Sequence, residues 1–452
     1  MTTDSNLSRR RLFRLMGALA SAISARSAEP GKLLIRSVRP EDFETQPDGF
    51  NTWITPIDQF FVRSHMSRPA VDLAKWRLSV GGEVAAPLTL TMDELKKFPA
   101  AEVVSVLECA GNGRSFYRPI VPGMQWTNGA VGNGRWRGVR LADVLKKAGL
   151  KTSAKQILFN GADTPPGTMP DFMRTVPVHK ALDPDTLLAF EMNGETLPAS
   201  HGFPLRLIAP GWAGDSWAKW VTNIEALDKD HDGFWMKTAY RYPVRTIAPG
   251  TAVDPADLKP VETIRVKSVI AGPLDNSASS SGPVRIHGVA WAGESPVVRV
   301  DVSTDSGRTW RAATLGRDRA RYAWRLWEST WTPPGPGSYV LMARATDAAG
   351  MTQPIAGDWN PSGYLWNAVQ QVRVQVGPSP ASPPAQGEIP AFPPKVRQAC
   401  IGCHESDMIA GQRLTQAQWD REITKMTGWG ATVDPADRGE LLDFLVKYFG
   451  PR

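Results

Sequence analysis

Cysteine is scarce in this chain, with three in 452 residues. That excludes a disulfide framework. Basic runs are missing outside the N-terminus. The formal net charge is +7, and much of it comes from Arg9, Arg10, Arg11, Arg14 and Arg26 against Asp4, which leaves the chain after residue 28 near +3. So small an excess excludes nucleic acid as a partner. A mildly positive funnel for a small anion stays open. Long apolar runs are also missing. The stretch from Leu12 to about Ala25 is too short and too interrupted to span a bilayer stably.

What is present is a folded, many-domained composition. Apolar residues make 42% and charged residues 21%, and the length suggests about three domains. Forty glycines and 38 prolines favour turns and short strands over a helical bundle. Seventeen tryptophans suit large cores and the walls of cofactor clefts. The opening Ser8-Arg9-Arg10-Arg11-Leu12-Phe13-Arg14 resembles a twin-arginine export signal. Residues 1–28 are therefore expected to be that signal, cleaved near Ala25–Ala28, with the mature chain in the periplasm. This route carries folded proteins, as a cofactor inserted before export requires.

Residues 29–255 mix strand-like runs with loops rich in Gly, Pro and Trp, an α+β pattern with its chemistry on loops. Thr91-Met92-Asp93-Glu94 is a capping box that opens a short helix. Val103–Leu107 reads as a buried strand delivering Cys109 to a loop, Leu141–Ala148 as a helix and Leu205–Ile208 as a strand. Residues 256–377 change character. Thr263–Ile270, Val284–Trp291, Val297–Thr304, Thr309–Leu315, Ala323–Trp327 and Ser338–Thr346 read as short strands at the spacing of an immunoglobulin-like β-sandwich. Residues 378–394 hold seven prolines and predict an extended tether. Residues 395–452 read as a small all-α domain. Thr415-Gln416-Ala417-Gln418 caps one helix, and Asp434-Pro435 opens the last, with Leu441, Phe444, Leu445 and Tyr448 on one face.

Two of the cysteines stand in Cys400-Ile401-Gly402-Cys403-His404, the attachment pattern of a c-type haem. Two thiols three apart can form thioethers to the haem vinyls, and His404 then meets the iron. A zinc knuckle would need a second ligand pair, which the sequence lacks. For the sixth iron ligand, Met408 follows His404 too closely to reach the opposite face. Met426, before Gly428-Trp429-Gly430, is the candidate. The segment then reads as a cytochrome c domain with one covalent haem.

The third cysteine stands in Leu107-Glu108-Cys109-Ala110-Gly111-Asn112-Gly113-Arg114. Upstream is Phe60-Phe61-Val62-Arg63-Ser64-His65. Downstream are Glu191-Met192-Asn193-Gly194, His201-Gly202-Phe203-Pro204-Leu205-Arg206, and Trp217-Ala218-Lys219-Trp220. Singly, a buried cysteine is usually packing and each charge a surface pair. In this order and spacing, over about residues 50–376, the segments resemble the sulfite oxidase family of molybdenum enzymes. The resemblance implies a molybdenum–molybdopterin cofactor with Cys109 as metal ligand. It implies pterin contacts from Phe61, Arg63, His65, Asp163, His201, Arg206, Trp217 and Lys219, and an anion pocket from Arg63 and Arg114. A β-sandwich second domain that can form a homodimer also follows. Two departures follow from the same comparison. Phe190, before the Glu-Met-Asn-Gly motif, is placed where the family has its active-site tyrosine, and Trp359–Trp366 holds no third anion-site arginine. The implied activity is oxidation of sulfite or a related sulfur oxyanion, with electrons passed to the haem and then to an external cytochrome. Oxidation of a sulfane or thiosulfate-derived sulfur is the alternative on the same cofactor. A molybdenum-free haem carrier with a docking domain is the third reading.

Overall fold

The computed structural model describes residues 33–279, 281–377, 390–401 and 403–451. The arginine-rich N-terminus and most of the proline-rich tether lie outside them. None of the described helices is long and apolar enough to cross a membrane.

The first domain is built from strands with few solvent-facing positions. Ala100–Glu108 and Val131–Arg140 pair antiparallel from Ala100↔Val139 to Glu108↔Val131. Leu187–Met192 joins them, flanked by Glu195–Thr196 and Arg206–Ile208. A second sheet runs Leu88–Leu90, Leu78–Gly82, Val221–Leu227, Gln156–Gly161, Arg174–Pro177. Leu33–Val38, Glu41–Thr45 and Val62–Arg63 form a third. Trp76, Leu78, Trp136, Phe159, Leu207 and Ile224 share one core, and each such side chain contributes about 1.5–3 kcal/mol on burial. The Thr91 capping box is complete: Glu94 N–H donates to Thr91 Oγ1 (3.2 Å), and Thr91 N–H donates to Glu94 Oε2 (2.8 Å). Leu141–Ala148 forms the expected helix, buries Leu141, Val144, Leu145 and Ala148 on one face, and stops at Gly149 with φ 71°.

The second domain is a two-sheet sandwich. One sheet orders Lys267–Gly272, Val284–Trp291, Arg325–Trp331 and Thr314–Leu315. The other orders Ser277–Ser279, Gln371–Val376, Gly337–Asp347, Val297–Ser303 and Arg311–Ala312. Val372, Val374 and Val376 alternate inward, as a strand with one buried face requires. The continuous strand expected over Thr309–Leu315 is split. Arg311–Ala312 pairs with Val297–Ser303, Thr314–Leu315 pairs with Arg325–Trp331, and Ala313 N–H turns between them to the Val300 carbonyl (2.8 Å). The chain changes sheets at that corner.

The C-terminal segment is helical: Pro394–Cys400, Ser406–Ala410, Gln416–Gly428 and Arg438–Phe449. They enclose Val396, Ile409, Leu414, Trp419, Ile423, Leu441, Leu445 and Phe449. The buried face of the last helix is thus Leu441, Leu445 and Phe449. Tyr448 is 43% exposed instead, because repeats of four keep one stripe inward. The segment packs on the first domain. Gln412 Nε2 donates to the Gly123 carbonyl (3.0 Å), Gln418 Nε2 to the Ile120 carbonyl (3.1 Å) and Arg39 to the Ile401 carbonyl (3.1 Å).

Candidate cofactor cleft

Cys109 leaves the end of the Ala100–Glu108 strand. Its N–H still donates to the Ala130 carbonyl (2.9 Å), so the hairpin holds the residue rigidly. Beyond it the loop turns through Gly113 at φ 88°, where a Cβ would lie 2.5 Å from Trp366. The half-buried thiol opens on a cleft. Burial pushes the thiol pKa up, and Arg63, the Gly111 N–H and Arg114 pull it back.

Phe61, Arg63, His65, Asp163, His201, Arg206, Trp217 and Lys219 all line the same cleft as Cys109. Arg63 is set by Asp42, with Nη1 at 3.0 and 3.2 Å from the two carboxylate oxygens. Burial opposes the Arg63 charge, but Asp42, Tyr240 and Cys109 together outweigh it and raise the pKa. His65 accepts or donates through Nε2 to the Tyr240 hydroxyl (2.7 Å) and stacks on Phe172. Burial and then the surrounding cations, Arg63 first, hold His65 well below its usual pKa, hence neutral. Burial also takes His201 down to about 3. Asp163 stands beside Gly161, where a Cβ would lie 2.6 Å from its Oδ1. Burial raises its pKa and Lys219 lowers it.

The strongest demand in the cleft comes from Arg206. It is buried and donates to the His201 carbonyl (2.9 Å), and its guanidinium sits over the Trp136 ring at 4.9 Å. Among the described residues it has no carboxylate partner, and its Nε has no acceptor. Burial lowers its pKa to about 9. A buried cation without a counter-ion is costly unless an anion arrives. Lys219 stands close by, bonded to Ser64 Oγ (2.9 Å) and the Ser200 carbonyl (3.1 Å). Its pKa is lowered to about 7 by burial, then by Arg206. Ser200 Oγ, His201 Nε2 and Asp215 Oδ1 are further buried atoms with no partner. Together these groups fit a phosphate-bearing, hydrogen-bonding cofactor.

Two residues stand elsewhere. Arg114 does not line the cleft. Its Nη1 donates to the Met124 carbonyl and its Nη2 to the Ser362 carbonyl, both at 3.2 Å, and its guanidinium lies 5.0 Å from the Tyr364 ring centre. Its charge reaches Cys109 while Nη1 and Nη2 are occupied, and its Nε is buried without a partner among the described residues. Phe190 is buried in the strand core with Lys96 Nζ 5.2 Å from its ring centre. The position expected to replace a cleft tyrosine is therefore not at the cleft. The cleft tyrosine is Tyr240, held at φ 54° and stacked on Tyr364 (5.2 Å). Sequence reasoning missed it because its partner His65 is 175 residues away. Asp215 was also missed. It lines the cleft, pairs with buried Arg174, and is pushed up to about 6 by burial.

At the other end of the chain, Cys400 ends the Pro394–Cys400 helix and is half-buried, while Cys403 is exposed. Both are free thiols. His404 Nδ1 is buried without a partner. Met426 is half-buried on the Gln416–Gly428 helix. Met408 packs instead against the core of the first domain. Two thiols and an imidazole at this spacing are a donor set that fits a covalent haem.

Two family profiles match the chain. The oxidoreductase molybdopterin binding domain covers residues 65–235, and the Mo-co oxidoreductase dimerisation domain covers residues 259–377. The chain is 36% identical over 362 residues to the mitochondrial sulfite oxidase of Homo sapiens. That match covers 76% of this chain and 66% of the human one, so it spans just under two thirds of that relative's length. It is 35% identical over 357 residues to the sulfite oxidase of Gallus gallus, covering 75% of this chain and 77% of that one. The crystal structure of the sulfane dehydrogenase SoxCD from Paracoccus pantotrophus superposes with a TM-score of 0.66 at 30% identity, covering 75% of this chain and 85% of that one. With a molybdopterin domain, a dimerisation domain and these relatives, the chain belongs to the sulfite oxidase family of molybdenum-cofactor oxidoreductases.

Proposed function

We propose that this chain is a periplasmic sulfite dehydrogenase. It combines sulfite with water to give sulfate, two protons and two electrons. Cys400, Cys403, His404 and Met426 would hold a haem c, which would supply one-electron transfer towards an external cytochrome. The observation that carries this reading is the meeting of Cys109 and counter-ion-free Arg206 in one cleft. Molybdenum held by Cys109 and a pterin dithiolene would supply a centre that takes up two electrons and returns them one at a time.

The protein's part is positioning. Arg206 and Lys219 hold the cofactor phosphate, and Asp163 accepts from pterin nitrogens. Arg63, whose Nη2 has no protein partner among the described residues, draws the oxyanion. The hydrogen bond between the Tyr240 hydroxyl and neutral His65 Nε2 fixes that hydroxyl at the cleft wall. Phe61 and Trp217 keep water from one wall.

A second reading has its own observation. Arg114 commits Nη1 and Nη2 to the Met124 and Ser362 carbonyls and does not line the cleft, so the cleft presents fewer guanidinium groups than an oxyanion pocket lined by both arginines. A less charged, sulfane-type sulfur then becomes the competing substrate. The similar solved structure carries the name sulfane dehydrogenase.

Reduction of external cytochrome c by the purified protein, with sulfite against thiosulfate as donor, decides between them. Sulfite is expected to win. Cys109→Ser should lose turnover and keep the haem spectrum; retained turnover removes Cys109 as the ligand. Metal analysis finding no molybdenum would leave only a haem carrier.

A further inference from the structure

We infer that Trp235 and Trp429 form the electron bridge from the cleft to the haem segment, and that the same contact seats that segment. This rests on the reading above, in which both ends hold redox centres. His65 forms part of the cleft wall. The Trp235 ring meets it edge-on with centroids 4.7 Å apart. Trp235 is buried, and its indole N–H is fixed on the Pro170 carbonyl at 2.9 Å. The Trp429 ring lies 6.2 Å from Trp235 and 5.5 Å from Phe234, edge-on to the latter. Trp429 closes the Gln416–Gly428 helix, and its N–H donates to the Met426 carbonyl (3.1 Å). Three rings in contact thus run from the cleft wall to the helical turn that carries Met426.

The backbone holds this seat as well. Thr168 N–H donates to the Trp429 carbonyl (3.3 Å), and Thr168 Oγ1 donates to the Gly428 carbonyl (2.9 Å). Gly167, at φ 56°, approaches so closely that a Cβ would lie 2.7 Å from the Trp429 oxygen. Only glycine permits that approach at that angle.

Electronic coupling falls steeply across gaps and slowly through packed atoms, so contiguous rings are a good medium. Each transfer moves one electron from the centre in the cleft to the haem iron. The rings stay neutral throughout and are neither oxidised nor reduced. Sulfite's two electrons cross in succession, and the external cytochrome empties the haem between them.

The test uses the full-length holoprotein with Trp429→Leu and Trp429→Phe. Two rates are read: amide hydrogen exchange at Thr168 without substrate, and the change in haem absorbance after sulfite is mixed in a single turnover. Removing an interface tryptophan weakens docking by roughly tenfold or more, so Trp429→Leu should speed exchange by that order and, with the ring contact gone, slow haem reduction. Trp429→Phe should keep both near the parent. A haem reduction rate unchanged in Trp429→Leu overturns the bridge, and an unchanged exchange rate overturns the seat. If the parent protein shows no covalent haem band, the functional reading fails first and the bridge falls with it. The exchange measurement still decides the seat.

Discussion

The Glu108 carboxylate and the Lys267 ammonium lie 3.6 Å apart, both buried, across the seam between the first domain and the β-sandwich. Glu108 immediately precedes Cys109. Its other bonds come from Asn112 Nδ2 (2.9 Å) and Trp291 Nε1 (2.8 Å). The sandwich therefore anchors the residue beside the thiol. Lys267→Met strands a buried carboxylate and should destabilise the protein by about 3–5 kcal/mol. Adding Glu108→Gln should recover most of that loss, since an amide needs no cation. Chemical denaturation of the three variants against the parent measures it.

Arg206 separates stability from cofactor retention. Arg206→Met removes a buried charge with no counter-ion, so the cofactor-free protein should be at least as stable as the parent. The same variant should be purified with little molybdenum. Denaturation of the cofactor-free form and metal analysis of the purified form check the two halves. A variant that keeps its molybdenum would remove Arg206 from the phosphate site.

Lys219 gives a pH dependence with a definite sign. Its folded pKa is about 7, below the unfolded value of about 10.4. Between those values the unfolded chain binds more protons, so the stability of the cofactor-free protein should rise with pH from about 7 upward. One proton's difference gives about 1.4 kcal/mol per pH unit between the two pKa values, and solvent on one side narrows that pH window. Lys219→Met should flatten the rise. The measurement is denaturation at fixed ionic strength between neutral and alkaline pH.

Tyr240 and Phe190 make a paired comparison. Tyr240→Phe keeps the ring stack on Tyr364 and removes the hydroxyl from His65. Turnover with sulfite should fall by about tenfold, the worth of one lost hydrogen bond, with molybdenum content unchanged. Phe190→Tyr should leave turnover unchanged, because that ring faces Lys96 rather than the cleft. Equal effects from the two variants would remove Tyr240 from the chemistry.

Much of the site was legible because its residues cluster in short segments. Arg63 and His65 are two apart, His201 and Arg206 five apart, and Trp217 and Lys219 two apart. Strands and tight turns carry each pair into the cleft together. Tyr240, Asp215 and the hold on Arg114 were not legible. Each depends on partners distant in the chain: Tyr240 on His65, Asp215 on Arg174, and Arg114 on Ser362 of the second domain. The assignment of Phe190 came from adjacency to the Glu-Met-Asn-Gly motif, and adjacency along a strand does not decide which face a ring takes.

The amino-acid sequence alone determined what acts over one turn or one strand. It specified the capping boxes at Thr91 and Thr415, the helix over Leu141–Ala148, and the three-residue spacing of Cys400 and Cys403 beside His404. These depend on local dihedral preferences and on the helical period of 3.6 residues. Tertiary structure decided which hydroxyl reaches the cleft, which guanidinium is left without a carboxylate, and where Trp429 comes to rest. Those outcomes depend on burial and on charges supplied by distant segments, and neither exists until the chain has packed.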